Sequence, residues 1–272
     1  RIPVSSETEA SEFIAKYLEY VNPGQSVIQN INGENLNTLM FSQDISGIYS
    51  YQVEDYLPQV IEPSMLLTKL YHLVNGLPVN EKQQVKDALQ GTLFNKKFGI
   101  VIGHGHGTST TFGACSDNDY MSVNEMGTIL GSRRQILLSH HCHTANFGYP
   151  SDCIADKYLK NYNGGVAYMG QSNFGIMPDN VDFTKFFLYR LLNNGYNNIN
   201  YYRIGDAYFL TKVNPLSYNY SLGHDFISRW IFFATNLLAE PSMPVWTNTP
   251  SNFTVTVSPS GSVNNFVRIT VT

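Results

Sequence analysis

The stretch ILLSHHCHTANFG, Ile136 to Gly148, sets three histidines around one cysteine at the end of an apolar run. A second concentration, His104 and His106 in GHGHG, follows the apolar run FGIVI, so five of the seven histidines fall in two places. Two chemistries suit these residue types. A zinc site would take two or three of His104, His106, His141, Cys142 and His143, since imidazole and thiolate both suit that ion. Spacing works against it: on a strand, residues i and i+2 share a face, so His141 and His143 converge while Cys142 points away. Neither C-x-x-C nor H-E-x-x-H is present. The second chemistry is nucleophilic. Cys142, just past the strand QILLSHH, would be the attacking sulfur, and a histidine from GHGHG would hold or take its proton. A glycine after that histidine lets a backbone N–H approach a substrate carbonyl, and with the N–H of Cys142 it would form an oxyanion hole. A strand end that is polar without any chemistry is the remaining reading, and two clusters with a central cysteine weigh against it.

The elements that must position these residues alternate. SSETEASEFIAKYLEYVNPG has a serine cap, acidic residues in its first turn and a Pro-Gly stop, which predicts a helix. LNTLMFS predicts a buried strand, PSMLLTKLYHLVNG a helix closed by Gly76, and NEKQQVKDALQGTLF another helix. FGIVIG, QILLSHH and GGVAYMG follow as strands, separated by the helices SVNEMGTILG and SDCIADKYLKNY. The helices NVDFTKFFLYRLLNNG and about 223–238 come last, the first with Phe183, Phe186, Phe187, Tyr189 and Arg190 as its core stripe. This order predicts an α/β fold with a mainly parallel sheet and helices on both faces, whose ligand sites lie beyond the carboxyl ends of the strands. Both histidine clusters sit at such ends, facing one crevice if their strands share the sheet. The pattern changes at AEPSMPVWTNTP, after which FTVTVSP and FVRITVT alternate as antiparallel strands do. The expected division is a domain over 1–240 and a β segment over 241–272, part of or the start of a larger β module.

Composition bounds the function classes. A chain of 272 residues, 43% hydrophobic, can fill a sizeable core. A net charge of −4 without basic blocks argues against a nucleic-acid surface. No apolar run approaches the roughly 18 residues that span a bilayer. Only 14% of residues are charged, which suits a secreted or cell-surface protein. The three cysteines, Cys115, Cys142 and Cys153, cannot all pair within the chain. Cys142 is the expected free thiol, and Cys115 and Cys153 are either a disulfide or two buried thiols. The chain opens at Arg1 without an initiator Met, as a processed form or a piece of something longer would.

CHTANF at 142–147 and GHGT at 105–108 resemble the catalytic-cysteine and catalytic-histidine segments of the gingipain family of cysteine peptidases, in the caspase-like clan. RIPVSSETEASEFIAKYLEYVNP is similar to that family's strand-end Gly-Arg followed by a helix, and LAEPSMPVWTNTP to its junction with an immunoglobulin-like module. GGVAYMGQSNFG is similar to the strand whose end borders the substrate pocket.

The resemblance implies a caspase-like fold, endopeptidase activity through a thiolate, and export. It carries the nucleophile role onto Cys142 and the proton-transfer role onto His106 or His104. His106 fits the following Thr108 and Phe112 better; His104 fits a loop starting directly after FGIVI. Gly107, Gly170, Gln171 and Ser172 become substrate-binding residues. The acidic residue that orients the family's histidine would lie upstream of Arg1, and Glu7, Glu9 and Asp179 are the choices for an acidic S1 residue. No cofactor is required; calcium is a structural option, with CSDNDY at 115–120 as its site. The partners implied are a polypeptide substrate and the protein's own pro-segment or upstream chain. The alternative to an enzyme is an inactive homologue serving secretion or surface binding.

Overall fold

Strands β1 (Asn37–Ser42), β2 (Leu66–Tyr71), β3 (Ile100–His104), β6 (Ile136–His140), β7 (Ala167–Gln171) and β8 (Thr235–Leu238) form one sheet in the order β2-β1-β3-β6-β7-β8. The computed structural model describes residues 1–21, 37–42, 57–61, 65–71, 81–90, 92, 97–113, 120–130, 135–176, 179–192, 203–213, 225–247, 255–259 and 267–271. All neighbours pair in parallel except β7 and β8, which are antiparallel. Because β1 is followed by β2 on one side and β3 on the other, the winding reverses between β1 and β3, where open α/β sheets form a crevice. The register places His104 opposite His140 on adjacent strands, so both histidine clusters do lie at the same edge of one sheet.

Alternation along the central strands explains why both faces are covered. Ile100 and Ile102, Ile136 and Leu138, and Ala167 and Met169 enter one core cluster, while Val101, Leu137 and Tyr168 enter the other. The first cluster is closed by helices α5 (Asp179–Leu192) and α6 (Ile204–Val213), which contribute Phe183, Phe187, Leu188 and Ala207. The second is closed by α2 (Glu81–Gln90), α3 (Val123–Gly127) and α4 (Ile154–Lys160), through Val85, Met126, Ile154 and Tyr158. Helix α1 (Glu7–Val21) buries Phe13, Lys16 and Tyr20 at helical spacing. Its start is capped: the Glu9 N–H donates to Ser6 Oγ at 3.1 Å, and the Ser5 N–H donates to Glu9 Oε2 at 2.6 Å.

Two segments differ from the expected elements. PSMLLTKLYHLVNG contains the edge strand β2, since LLTKLY fits either period and the free edge of β1 decides for pairing, from Asn37↔Leu66 to Ser42↔Tyr71. The run expected as one helix over 223–238 splits into α7 (Asp225–Ala234) and β8, because the outer edge of β7 takes Thr235–Leu238 as an antiparallel partner. Helix α6 and the small hairpin β4 (Thr111–Gly113) with β5 (Tyr120–Ser122) were not foreseen. In the expected stripe of α5, Phe183, Phe187 and Arg190 are buried but Tyr189 is 43% exposed, so the core face runs instead through Thr184, Leu188 and Leu191. Strands β9 (Val255–Pro259) and β10 (Val267–Val271) form a separate antiparallel pair. No described helix is long and apolar enough to cross a membrane.

Candidate active site

Strand β6 ends at His140, and the chain then makes a tight turn that presents Cys142 partly exposed at the sheet edge. Several tethers fix this turn. The N–H groups of His143 and Ala145 donate to the carbonyls of Asn173 and Gln171 at 3.0 and 2.9 Å, the Ala155 N–H donates to Thr144 O at 2.9 Å, and Thr144 Oγ1 donates to His141 O at 3.1 Å. His143 adopts φ 59°, a left-handed conformation that histidine tolerates better than most side chains. With the turn so held, Cys142 Sγ accepts a hydrogen bond from the Gly175 N–H at 3.3 Å.

The loop after β3 packs directly against this turn, and Gly107 is the reason it can. A Cβ on Gly107 would lie 2.7 Å from His141 Cβ and 3.0 Å from Cys142 O, so no other residue fits. Thr108 shapes the loop by accepting the Thr110 and Thr111 N–H groups on its Oγ1 at 3.2 and 3.1 Å, and the Gly113 N–H donates back to His106 O at 2.7 Å. His106 is exposed, on the segment adjoining Cys142. His104 is buried, its ring centroid 5.9 Å from that of His140.

Burial sets the protonation of the remaining histidines. Nε2 of His141 donates to the Gly113 carbonyl at 2.8 Å and its Nδ1 faces Ser139 Oγ at 2.9 Å, a neutral ring with both nitrogens engaged. Desolvation pulls its pKa down to about 3, against the smaller opposing effect of the Gly113 bond. His140 pairs with Thr184 Oγ1 at 2.6 Å through Nε2 and is pushed by burial down to about 4. His104 is held well below the ordinary value of 6.5, first by burial and then by the neighbouring His140, His141 and His106. Cys153 is an inert contrast to Cys142: buried, unbridged, its thiol pushed by desolvation up to about 12.

The pocket wall beyond Cys142 comes from the end of β7. Gly170 is tight against the Tyr168 ring, with its missing Cβ 2.6 Å from Cε1. Gln171 turns its side chain inward, Nε2 donating to Asn180 Oδ1 at 3.0 Å and Thr235 Oγ1 at 2.9 Å, and meets the site only through its carbonyl. Ser172 borders a cavity with Asn173, Trp230, Phe233 and Ala234.

Glu9 is committed to the start of α1 and to Lys160 at 3.7 Å, Glu7 is exposed on the first turn of that helix, and Asp179 is buried in the first turn of α5. Cys115 and most of the segment 115–120, on which the disulfide and calcium expectations fall, lie outside the described residues. Among the described residues no group of three or more His, Cys, Asp or Glu converges as metal ligands would. The sequence reading missed Asn173 and Gly175, whose only signal was the NFG turn after β7, and Trp230 and Phe233, which carry no local signal at all.

The sequence model of Peptidase family C25 matches residues 1–246. Among solved structures, the chain is similar to the complex of Porphyromonas gingivalis RgpB pro- and mature domains, with a TM-score of 0.68 at 15% identity over 94% of this chain and 58% of that one. It is also similar to the Arg-specific cysteine proteinase gingipain R, with a TM-score of 0.71 at 16% identity over 94% of this chain and 57% of that one. A third, described as a protease, gives a TM-score of 0.65 at 14% identity over 98% of this chain and 60% of the other. No curated protein matches the chain. The chain thus spans less than two thirds of the length of these solved relatives, and its fold is theirs.

Proposed function

The chain belongs to peptidase family C25, and on that premise we propose that it is a cysteine endopeptidase in which Cys142 is the nucleophile and His106 the proton-transfer residue. The observation that supports this reading is the close seating of Gly107 on the Cys142 turn, which sets the segment carrying His106 beside the backbone of that turn. The thiolate of Cys142 attacks the scissile carbonyl, and the N–H groups of Gly107 and Cys142 hold the oxyanion. Protonated His106 gives its proton to the leaving amine as the C–N bond breaks, leaving a thioester. Water, deprotonated by the same imidazole, hydrolyses the thioester and regenerates the thiol.

The choice of His106 over His104 follows from charge. The catalytic imidazole must become a cation during the cycle, and burial among three other histidines opposes a charge on His104. His106, by contrast, is exposed. Gly170, Gln171 and Ser172 act in substrate binding as backbone and pocket wall.

Residues 1–240 form the peptidase domain and 241–272 a β segment appended to it, and the protein acts outside the cell or on its surface, in keeping with its low charge content. By analogy with the RgpB complex, a pro-segment or upstream chain covers the site before activation. The enzyme needs no cofactor, and any calcium it holds is structural.

Iodoacetamide mapping with peptide hydrolysis tests the assignment. Cys142 is expected to be alkylated first, with parallel loss of activity, and Cys142→Ala to be inactive. Full activity in Cys142→Ala would overturn the nucleophile role. A folded wild-type protein that cleaves no member of a broad peptide library would favour a binding module instead.

A further inference from the structure

His141 stands immediately before Cys142 in the chain, yet its ring lies in the core against two aromatic side chains. The Phe112 ring meets it edge-on at 4.9 Å, the Phe41 ring lies tilted at 5.9 Å, and the residue is fully buried. We infer that His141 is a positioning residue of the site: its ring ties the hairpin paired with the His106 segment to the turn that carries Cys142, and so holds the two segments in register. The inference rests on the peptidase reading for the roles of Cys142 and His106, and adds the residue that aligns them.

A continuous chain of hydrogen bonds carries it. The segment around His106 pairs with β4: Gly107 bridges Phe112, the Thr108 N–H donates to Thr111 O at 2.8 Å, and the Gly113 N–H donates to His106 O at 2.7 Å. Gly113 is thus tied to His106 through its nitrogen. Through its oxygen it accepts a hydrogen bond from His141 Nε2 at 2.8 Å. A carbonyl can only accept, so Nε2 bears the proton, and Nδ1 accepts from Ser139 Oγ at 2.9 Å. The same segment meets His141 a second time, where a Cβ on Gly107 would lie 2.7 Å from His141 Cβ.

The residue type supports the same role. Stability alone favours an apolar side chain against Phe41 and Phe112, because a buried polar ring costs free energy unless its nitrogens are engaged. Both nitrogens of His141 are engaged, one of them on the hairpin. Desolvation lowers its pKa to about 3, so the ring stays neutral and keeps one tautomer through the neutral range. His140, one residue earlier, turns to the other face of the sheet and pairs with Thr184 Oγ1 at 2.6 Å.

The test compares His141→Asn with His141→Gln. Both carry an uncharged amide, but Asn reaches only the place of Nδ1, beside Ser139, whereas Gln reaches the place of Nε2 and donates to Gly113 O. In peptide hydrolysis His141→Asn is expected to lower kcat about tenfold or more with KM within about twofold, and His141→Gln to recover most of the loss. Iodoacetamide alkylation of Cys142 at neutral pH should slow about tenfold in His141→Asn and recover in His141→Gln. Equal rates in the two variants, or a loss confined to KM, overturns the inference. One measurement needs no variant: a long-range nitrogen–proton NMR spectrum of the wild-type protein should show His141 protonated at Nε2, and protonation at Nδ1 overturns the inference. If the wild type cleaves no peptide but alkylation separates Asn from Gln, the alignment stands and the peptidase reading falls. An active wild type whose two variants do not differ keeps the peptidase reading and sinks the alignment.

Discussion

Cys142 and Cys153 show how placement alone divides two identical side chains. Cys142 stands partly exposed on a tethered turn with a backbone N–H aimed at its sulfur, whereas Cys153 lies in the core with its thiol pushed up to about 12. Mass mapping at neutral pH should therefore find Cys142 alkylated well before Cys153. His106→Ala should reduce kcat/KM by about two to four orders of magnitude, the usual contribution of a positioned acid–base group. The loss from His104→Asn should be smaller, and the reverse order would transfer the role to His104. Gly107→Ala keeps the backbone N–H proposed for the oxyanion and tests how closely that N–H must be positioned. Its new Cβ would press on His141 Cβ and Cys142 O, and a shift of about 1 Å in the turn costs on the order of a hundredfold in rate. A circular dichroism spectrum like that of the parent would show that the effect is local.

Element packing holds the site edge in place, and α1 is joined to α4 by an unusual device. Lys16 is fully buried, and its Nζ donates to the carbonyls of Leu159 at 2.6 Å, Asn161 at 2.8 Å and Gly165 at 3.1 Å. These carbonyls close the C-terminal end of α4, where a cation also suits the helix dipole. The N-terminal side of the same helix donates Ala155 N–H to Thr144 O in the Cys142 turn, so α4 links the lysine to that turn. Lys16→Met keeps the side-chain volume but strands the buried acceptors, and should lower unfolding free energy by about 2–3 kcal/mol in urea titration. Phe187→Ala in α5, which opens a cavity under the sheet, should cost about 3–5 kcal/mol by the same measurement.

Acid stability belongs to the whole molecule, because it depends on histidines gathered from different strands. His140 and His141 have folded-state values of about 4 and about 3 against an ordinary 6.5, with burial as the main cause. Their neutral forms are favoured by folding, so the unfolded chain binds more protons below 6.5. Their contribution is fully present above about pH 6.5 and is lost as the pH falls towards 4 and then 3. His104, lowered in the same direction, adds to this. Melting temperature should fall on acidification across that window, and replacing His140 by Asn should flatten the dependence. An unchanged melting temperature between pH 7 and 4 would contradict the buried neutral cluster.

The sequence alone determined the two histidine-bearing segments at strand ends, the strands FGIVIG, QILLSHH and GGVAYMG, and the α/β class, because each rests on local pattern: turn glycines, a cysteine at a strand end, and apolar runs of fixed length. It misassigned PSMLLTKLYHLVNG and the end of the last apolar run, where a short apolar segment satisfies both the helical and the strand period. Only the free edges of β1 and β7 decide such cases. The site divides in the same way. The cysteine at the end of its strand and the two histidine clusters could be read from the sequence, but Gly175, whose N–H donates to Cys142 Sγ, comes from 33 residues further along the chain. Only the tertiary structure brings it there, and pairing of β8 with β7 seats Ala234 against Ser172 in the same way. The cysteine at the strand end was therefore legible in the chain, while the surroundings of its turn were decided by long-range packing.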